Sequence, residues 1–147
     1  MISTQVLRHH LGAGAFATVY AAVDEEGRPC AVKRINKYHI KSLESLRNVA
    51  GELRALRAAV GCPNLVWVRG VVASEATLSF AMELFGNSNL QDAIAARPND
   101  VTRAAPGIIR GLANGLAHMH ARDLHHRDVA LIESIASTTH HVDRETR

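Results

Sequence analysis

Lys33 stands inside an apolar run, Cys30-Ala31-Val32-Lys33-Arg34-Ile35, and this one cation restricts the fold more than any other residue. An ammonium taken into an apolar strand without a counter-charge is costly. The chain must bring an anion to Lys33, from a carboxylate on another element, from a bound ligand, or from both. A lysine snorkelling at a strand end is the plain alternative. The sequence on either side of Lys33 argues against it.

Upstream, Leu11-Gly12-Ala13-Gly14-Ala15-Phe16-Ala17-Thr18-Val19-Tyr20 reads as a glycine turn between two strands. Val6, Leu7 and Leu11 lead into the turn, and Val19, Ala21 and Val23 alternate with their neighbours after it. A polar loop, Asp24-Glu25-Glu26-Gly27-Arg28, then leads to a third strand through Cys30, Val32 and Ile35. Gly12 and Gly14 carry no side chains, so backbone amides there can approach anionic oxygens closely. Phe16 would form the tip of this hairpin, and Val19 would follow in strand register.

Downstream the period changes. Leu46, Val49, Ala50, Leu53, Leu56 and Val60 recur at spacings of three and four, which predicts an amphipathic helix over residues 40–60, stopped by Gly61 and Pro63. Glu52 precedes Leu53 and lies four residues before Leu56, so it can face the sheet beside the apolar stripe as the partner of Lys33. Glu44 is the other candidate, placed where it would favour the helix dipole.

Leu65–Val72 and Thr77–Leu84 are β-rich runs joined by a hairpin, Ala73-Ser74-Glu75-Ala76. Ser88-Asn89-Leu90-Gln91 fits a capping box opening a short helix to about Ala96, and Pro98-Asn99-Asp100 breaks it. Ile108, Ile109, Leu112, Leu116 and Met119 mark a second long helix, with Pro106 near its start. The order predicts an α+β fold: a five-stranded antiparallel sheet with one helix, followed by the first helices of a helical lobe.

Composition excludes several function classes. With 147 residues, 47% of them hydrophobic, the chain can build one ordinary core. The net charge of +3 is spread without a basic run, which argues against nucleic acid. The longest apolar region, Leu65 to Phe85, is broken by Arg69, Glu75 and Glu83 and is no membrane span. The first residues lack the apolar stretch of a leader, and the two cysteines form no C-x-x-C pair; both fit a reducing, cytoplasmic compartment. Among nine histidines, His118 and His120 sit on different faces of one helix and the cysteines lie far off in sequence, so no metal centre is expected.

Further segments complete a pattern. Cys62-Pro63-Asn64-Leu65-Val66, Phe80-Ala81-Met82-Glu83-Leu84, the run Gly111 to His120, and His126-Arg127-Asp128 follow the glycine turn and Ala31-Val32-Lys33 in order. With them the chain resembles a eukaryotic-type protein kinase domain from about Val6 to Ala130. The resemblance implies ATP as ligand and phosphoryl transfer to a protein hydroxyl, with Mg²⁺. It implies that Leu11, Gly12, Gly14, Val19, Ala31 and Lys33 bind the nucleotide, and that Met82 is the gatekeeper. The backbone of Glu83 and Leu84 would then hydrogen-bond adenine. It further implies that Glu52 pairs with Lys33 and that Asp128 positions the accepting hydroxyl. Arg127 would meet a phosphorylated activation loop.

The sequence also departs from the family. Ala17 replaces the third glycine, and Cys62 the usual histidine. Glu133 stands where the metal-binding asparagine is expected, and no D-F-G or A-P-E follows. The lysine two positions after Asp128 is missing, which leans towards the tyrosine or tyrosine-like branch. The expectation is a partial domain over 5–130, with its small lobe over about 5–85, the start of the helical lobe over 86–130, and a divergent, disordered tail over 131–147. Transfer is expected to be impaired. The rival expectation is a non-catalytic interaction or nucleotide-binding module whose partner is a full-length kinase or a chaperone.

Overall fold

The computed structural model describes residues 6–14, 17–85 and 90–125, with side chains from His9 onward. The chain divides into two compact units, one of residues up to Arg57 together with Trp67–Leu84, the other of Ala58–Val66 together with the residues from Phe85 on.

The first unit is a five-stranded antiparallel sheet with one helix. Strands β1 (Val6–Ala13), β2 (Ala17–Val23), β3 (Pro29–Asn36), β4 (Val68–Ala73) and β5 (Thr77–Glu83) lie in the order β1-β2-β3-β5-β4. Asp24 shapes the turn between β2 and β3 by accepting from the backbone of Glu26 and Arg28, and Gly27 takes the left-handed conformation there (φ 76°). Between β4 and β5 the Ser74 hydroxyl accepts from the Thr77 N–H at 3.0 Å and closes the expected hairpin. At a register shift between Val68 and Gly70, Arg69 leaves the ladder. It reaches past β5 and donates to the carbonyl of Pro29, the first residue of β3, at 3.0 Å.

Helix α1 (Leu43–Ala58) opens with a reciprocal cap: the Ser42 hydroxyl accepts from the Ser45 N–H, and the Ser45 hydroxyl from the Ser42 N–H. Val49, Leu53 and Leu56, with Ile40 just ahead of the helix, pack on Ile35, Val68 and Phe80 of the sheet. The expected stripe is narrower than its spacing suggested. Leu46 and Ala50 are exposed, and Val60 lies beyond the helix end and is also exposed. Gly61, at φ 85°, takes the left-handed conformation that follows the helix.

The second unit contains α2 (Leu90–Ala96) and α3 (Pro98–His120). The capping-box residues Ser88 and Asn89 lie outside the described residues. Pro98, not Pro106, occupies the first turn of α3, and Pro106 sits inside the helix. The buried positions of α3 are Gly111, Gly115 and Met119, each four residues from the next, whereas Ile109 is 65% exposed. A Cβ on Gly115 would lie 3.0 Å from the Asn64 carbonyl oxygen and 3.1 Å from the Leu65 side chain, so glycine lets this segment lie directly on the helix backbone. Leu65 and Val66 therefore serve the second unit, and β4 begins only at Val68 rather than at Leu65.

The His118 ring Nε2 is bonded to the carbonyl of Ala58 at 2.9 Å. The C-terminus of α3 is a Schellman motif: the Leu124 N–H donates to Met119 O and the Asp123 N–H to His120 O, with Asp123 at φ 55°.

Candidate functional site

Register decides which residues share a face of the first unit. Paired residues on neighbouring strands point to the same side, and alternate residues to opposite sides. Val19 pairs with Lys33, and Lys33 with Phe80; Ala21 pairs with Ala31, and Ala31 with Met82. Val19, Ala31, Lys33 and Met82 therefore lie together on the face that carries α1.

On that face α1 presents Val49, Glu52, Leu53 and Leu56, one carboxylate within an apolar stripe. Lys33 Nζ donates to Glu52 Oε1 at 2.5 Å. The two side chains are 27% and 35% exposed, neither lost in the core nor free in solvent. Glu44, the other candidate, is exposed in the first turn of α1, where it complements the helix dipole.

A half-exposed pair contributes about 0–1 kcal/mol when judged as a surface ion pair, and paired buried charges often fare no better than apolar residues of the same size. Stability is thus a weak reason to interrupt an apolar stripe with Glu52. A stronger one is that the carboxylate fixes the ammonium at a chosen point on the sheet, with further N–H donors for a second anion.

The glycine turn borders the same face through the pairing of Gly12 with Val19. A Cβ placed on Gly12 would meet nothing within 4 Å, so the backbone there is open to an approaching group. Gly14 donates its N–H to Ala17 O at 2.8 Å, which closes the base of the turn. Neither residue adopts a positive φ, so the two glycines leave space rather than relieve strain. Leu11 is 39% exposed on β1. Phe16 lies outside the described residues.

At the end of β5, Met82 packs against the cluster of Ile35, Val68 and Phe80. The Glu83 N–H is directed to the Trp67 carbonyl at 3.4 Å, and Leu84 follows the strand, partly buried. The Cys30 thiol is fully buried on the opposite face, and burial raises its pKa, so it stays protonated and unreactive. His126, Arg127, Asp128 and Glu133 lie outside the described residues. Among the described residues, no three His, Cys, Asp or Glu side chains gather as a metal site.

Sequence reasoning missed two features. His118 enters it only as one of several histidine pairs, whereas its ring bonds the Ala58 carbonyl within the second unit. Arg34, the neighbour of Lys33, was read only as part of a strand, although alternation alone sends it to the other face.

The family model for the protein kinase domain matches residues 6–131. Calcium-dependent protein kinase 21 of Arabidopsis thaliana is 31% identical over 124 residues, which covers 84% of this chain and 23% of that protein. Calcium-dependent protein kinase 27 of Oryza sativa subsp. japonica is 29% identical over 124 residues, covering 84% and 20%. The NUAK family SNF1-like kinase 2 of Rattus norvegicus is 27% identical over 121 residues, covering 82% and 19%. The chain thus spans about a fifth to a quarter of the length of these curated relatives. The lean towards the tyrosine branch, drawn from the residue two after Asp128, finds no support among them.

Proposed function

We propose, since the chain belongs to the protein kinase domain family, that it binds ATP on the α1 side of its sheet and that Asp128 positions a protein hydroxyl for γ-phosphoryl transfer. The observation that carries this reading is the Lys33–Glu52 pair on the same face as Val19, Ala31 and Met82. Val19, Ala31 and Leu11 offer apolar surface to a base, with Met82 at its inner limit. Backbone groups of Glu83 and Leu84 offer hydrogen bonds at its edge. Gly12 and Gly14 leave room for phosphates, and Lys33, steadied by Glu52, supplies the positive charge.

The kinase family uses Mg²⁺ with ATP, and the metal neutralises charge on the transferred group. Glu133 stands where the family has its metal-binding asparagine, so the family's preorganised amide ligand is lost and a carboxylate of different reach takes its position in the sequence. Loss of one preorganised electrostatic stabiliser typically lowers rates by about 10²–10³, so we assign the chain weak transfer. We place the small lobe over about 5–85 and the start of the helical lobe over 86–130, with 131–147 apart from both. A protein carrying the accepting hydroxyl is the second substrate. Two free, buried cysteines suit the reducing cytoplasm where ATP is abundant.

Two assays test this. ATP should raise the melting temperature of the chain, and Lys33→Met should remove most of that rise. Transfer of γ-phosphate to a protein acceptor should exceed that of Asp128→Asn. Equal rates for the two proteins would end the transfer claim. Glu133 favours one rival reading, a nucleotide-binding module without transfer. It is identified by an ATP-induced rise that depends on Lys33 together with transfer no faster than Asp128→Asn.

A further inference from the structure

The opposite face of the sheet carries a second constellation. Alternation along β2 and β3 turns Thr18 and Arg34 away from the Lys33 side, and the two are direct cross-strand partners. They line a cavity of about 280 Å³ at the end of the sheet, with Gly14 on one side and Asn36, His39 and Thr77 on the other. Asn36 and Thr77 are themselves cross-strand partners, so the walls come from the strand ladder as well as from the helical turn at Lys37–His39.

The chemistry of the lining is one-sided. The Arg34 guanidinium lies over the Tyr20 ring, 5.7 Å from its centroid, and Tyr20 is in turn held edge-on by His10 at 6.0 Å. This stacking orients the fork of donors without using any of them. Asn36 Oδ1 accepts from the Tyr38 N–H at 3.0 Å, which leaves its amide N–H groups as donors. The Thr18 hydroxyl and the His39 ring add two more groups able to donate. Among the described residues, no carboxylate lines the cavity and none forms an ion pair with Arg34. A guanidinium with amide, hydroxyl and imidazole donors and no acid suits a tetrahedral oxyanion.

We propose that this cavity is a phosphoryl-binding site, separate from the nucleotide face, that takes a phosphate monoester or the free ion. Arg34 is the anchoring group, and Thr18, Asn36 and His39 complete the donor set. The same chemistry is offered by phosphoserine or phosphothreonine in a protein and by inorganic phosphate.

The test is an amide-resolved NMR titration of the full chain at constant ionic strength. Inorganic phosphate is one probe, phosphothreonine with blocked termini the second, and chloride the control. Saturable shifts are expected at Thr18, Arg34 and Asn36 with either phosphoryl probe and not with chloride. A charge-assisted hydrogen bond corresponds to roughly tenfold or more in affinity, so Arg34→Gln should weaken binding by about that factor. Thr18→Ala should weaken it by less, and Lys33→Met should leave it within about twofold of the parent.

Arg34 is exposed, so the variant should keep its fold, and an unchanged melting curve checks this. Phosphothreonine binding about tenfold tighter than phosphate identifies a protein segment as the source, whereas equal affinities identify the free ion. Shifts that never saturate, binding indifferent to both Arg34→Gln and Thr18→Ala, or binding lost in Lys33→Met would each overturn the proposal.

Discussion

Helices α1 and α3 are both amphipathic, yet they are held in opposite ways. No residue of α1 is fully buried, and its grip on the sheet is three half-covered aliphatic side chains and one ion pair. In α3 the backbone itself is covered, at Gly111 and Gly115, with Met119 completing the column. Lightly seated elements are those that open at low free-energy cost, and α1 is the one that carries Glu52. The helix that holds an adjustable charge is loosely packed, and the one seated through its backbone carries no charge on its buried column.

The largest effect belongs to the surface on which α1 rests. Phe80 is fully buried beneath it, and Phe80→Ala should destabilise the chain by about 3–5 kcal/mol in urea titration. Should that loss be small, α1 is not held by the sheet and the contrast fails.

Gly115→Val tests the other side. Its side chain would collide with the Asn64 backbone and Leu65, for a cost of about 1–3 kcal/mol from overpacking. Gly111→Ala sharpens the point, since its Cβ would meet only the Asn64 side chain, at 3.2 Å, which can move. There the helix preference for alanine over glycine, up to about 1 kcal/mol, should offset the contact and leave the melting temperature near that of the parent.

Glu52→Leu completes the apolar stripe of α1. Because Lys33 is 27% exposed and can turn its ammonium to water, stability should change by no more than about 1 kcal/mol in either direction, while the ATP-induced rise in melting temperature falls. Equal losses of stability and of nucleotide response would mean that Glu52 is structural.

The smallest effect concerns the β2–β3 turn, outside both helices. Burial of the Asp24 carboxyl acts to raise its pKa, but hydrogen bonds and charge from Arg28, with the Glu26 N–H, outweigh it and hold the pKa below the ordinary 3.8. A group depressed in the folded state stabilises it above the unfolded pKa, and that contribution fades as pH falls below 3.8. Asp24→Asn should therefore flatten the acid limb of a stability–pH profile and lower stability by a constant amount at neutral and higher pH, with the slope there unchanged.

Much of the first unit was legible because its strands obey a period of two and α1 a period near four. Lys33 demanded an anion, and the stripe pointed to Glu52 before any coordinates. The misreadings share a cause: apolar character says that a residue can be buried, not against what. Leu65 and Val66 extended an apolar run that looked like one strand, yet they pack in the other unit. Leu46 kept the helical spacing but falls outside the strip that the sheet covers. Gly111 and Gly115 carry no hydrophobic signal, though they are two of the three buried positions of α3. Pro106 reads as a start signal because proline suits a first turn, but Pro98 already fills that place. The donor-lined cavity at Arg34 depends on three strands and a helical turn meeting at one corner, which no local pattern announces.

The displaced Arg69 has an effect beyond its own hydrogen bond. By skipping a rung at Val68–Gly70 and hooking back to Pro29, it bends the outermost ribbon on that side. A bent border offers an incoming chain no straight row of amides to copy. Crowded solutions should then resist fibre growth from that flank.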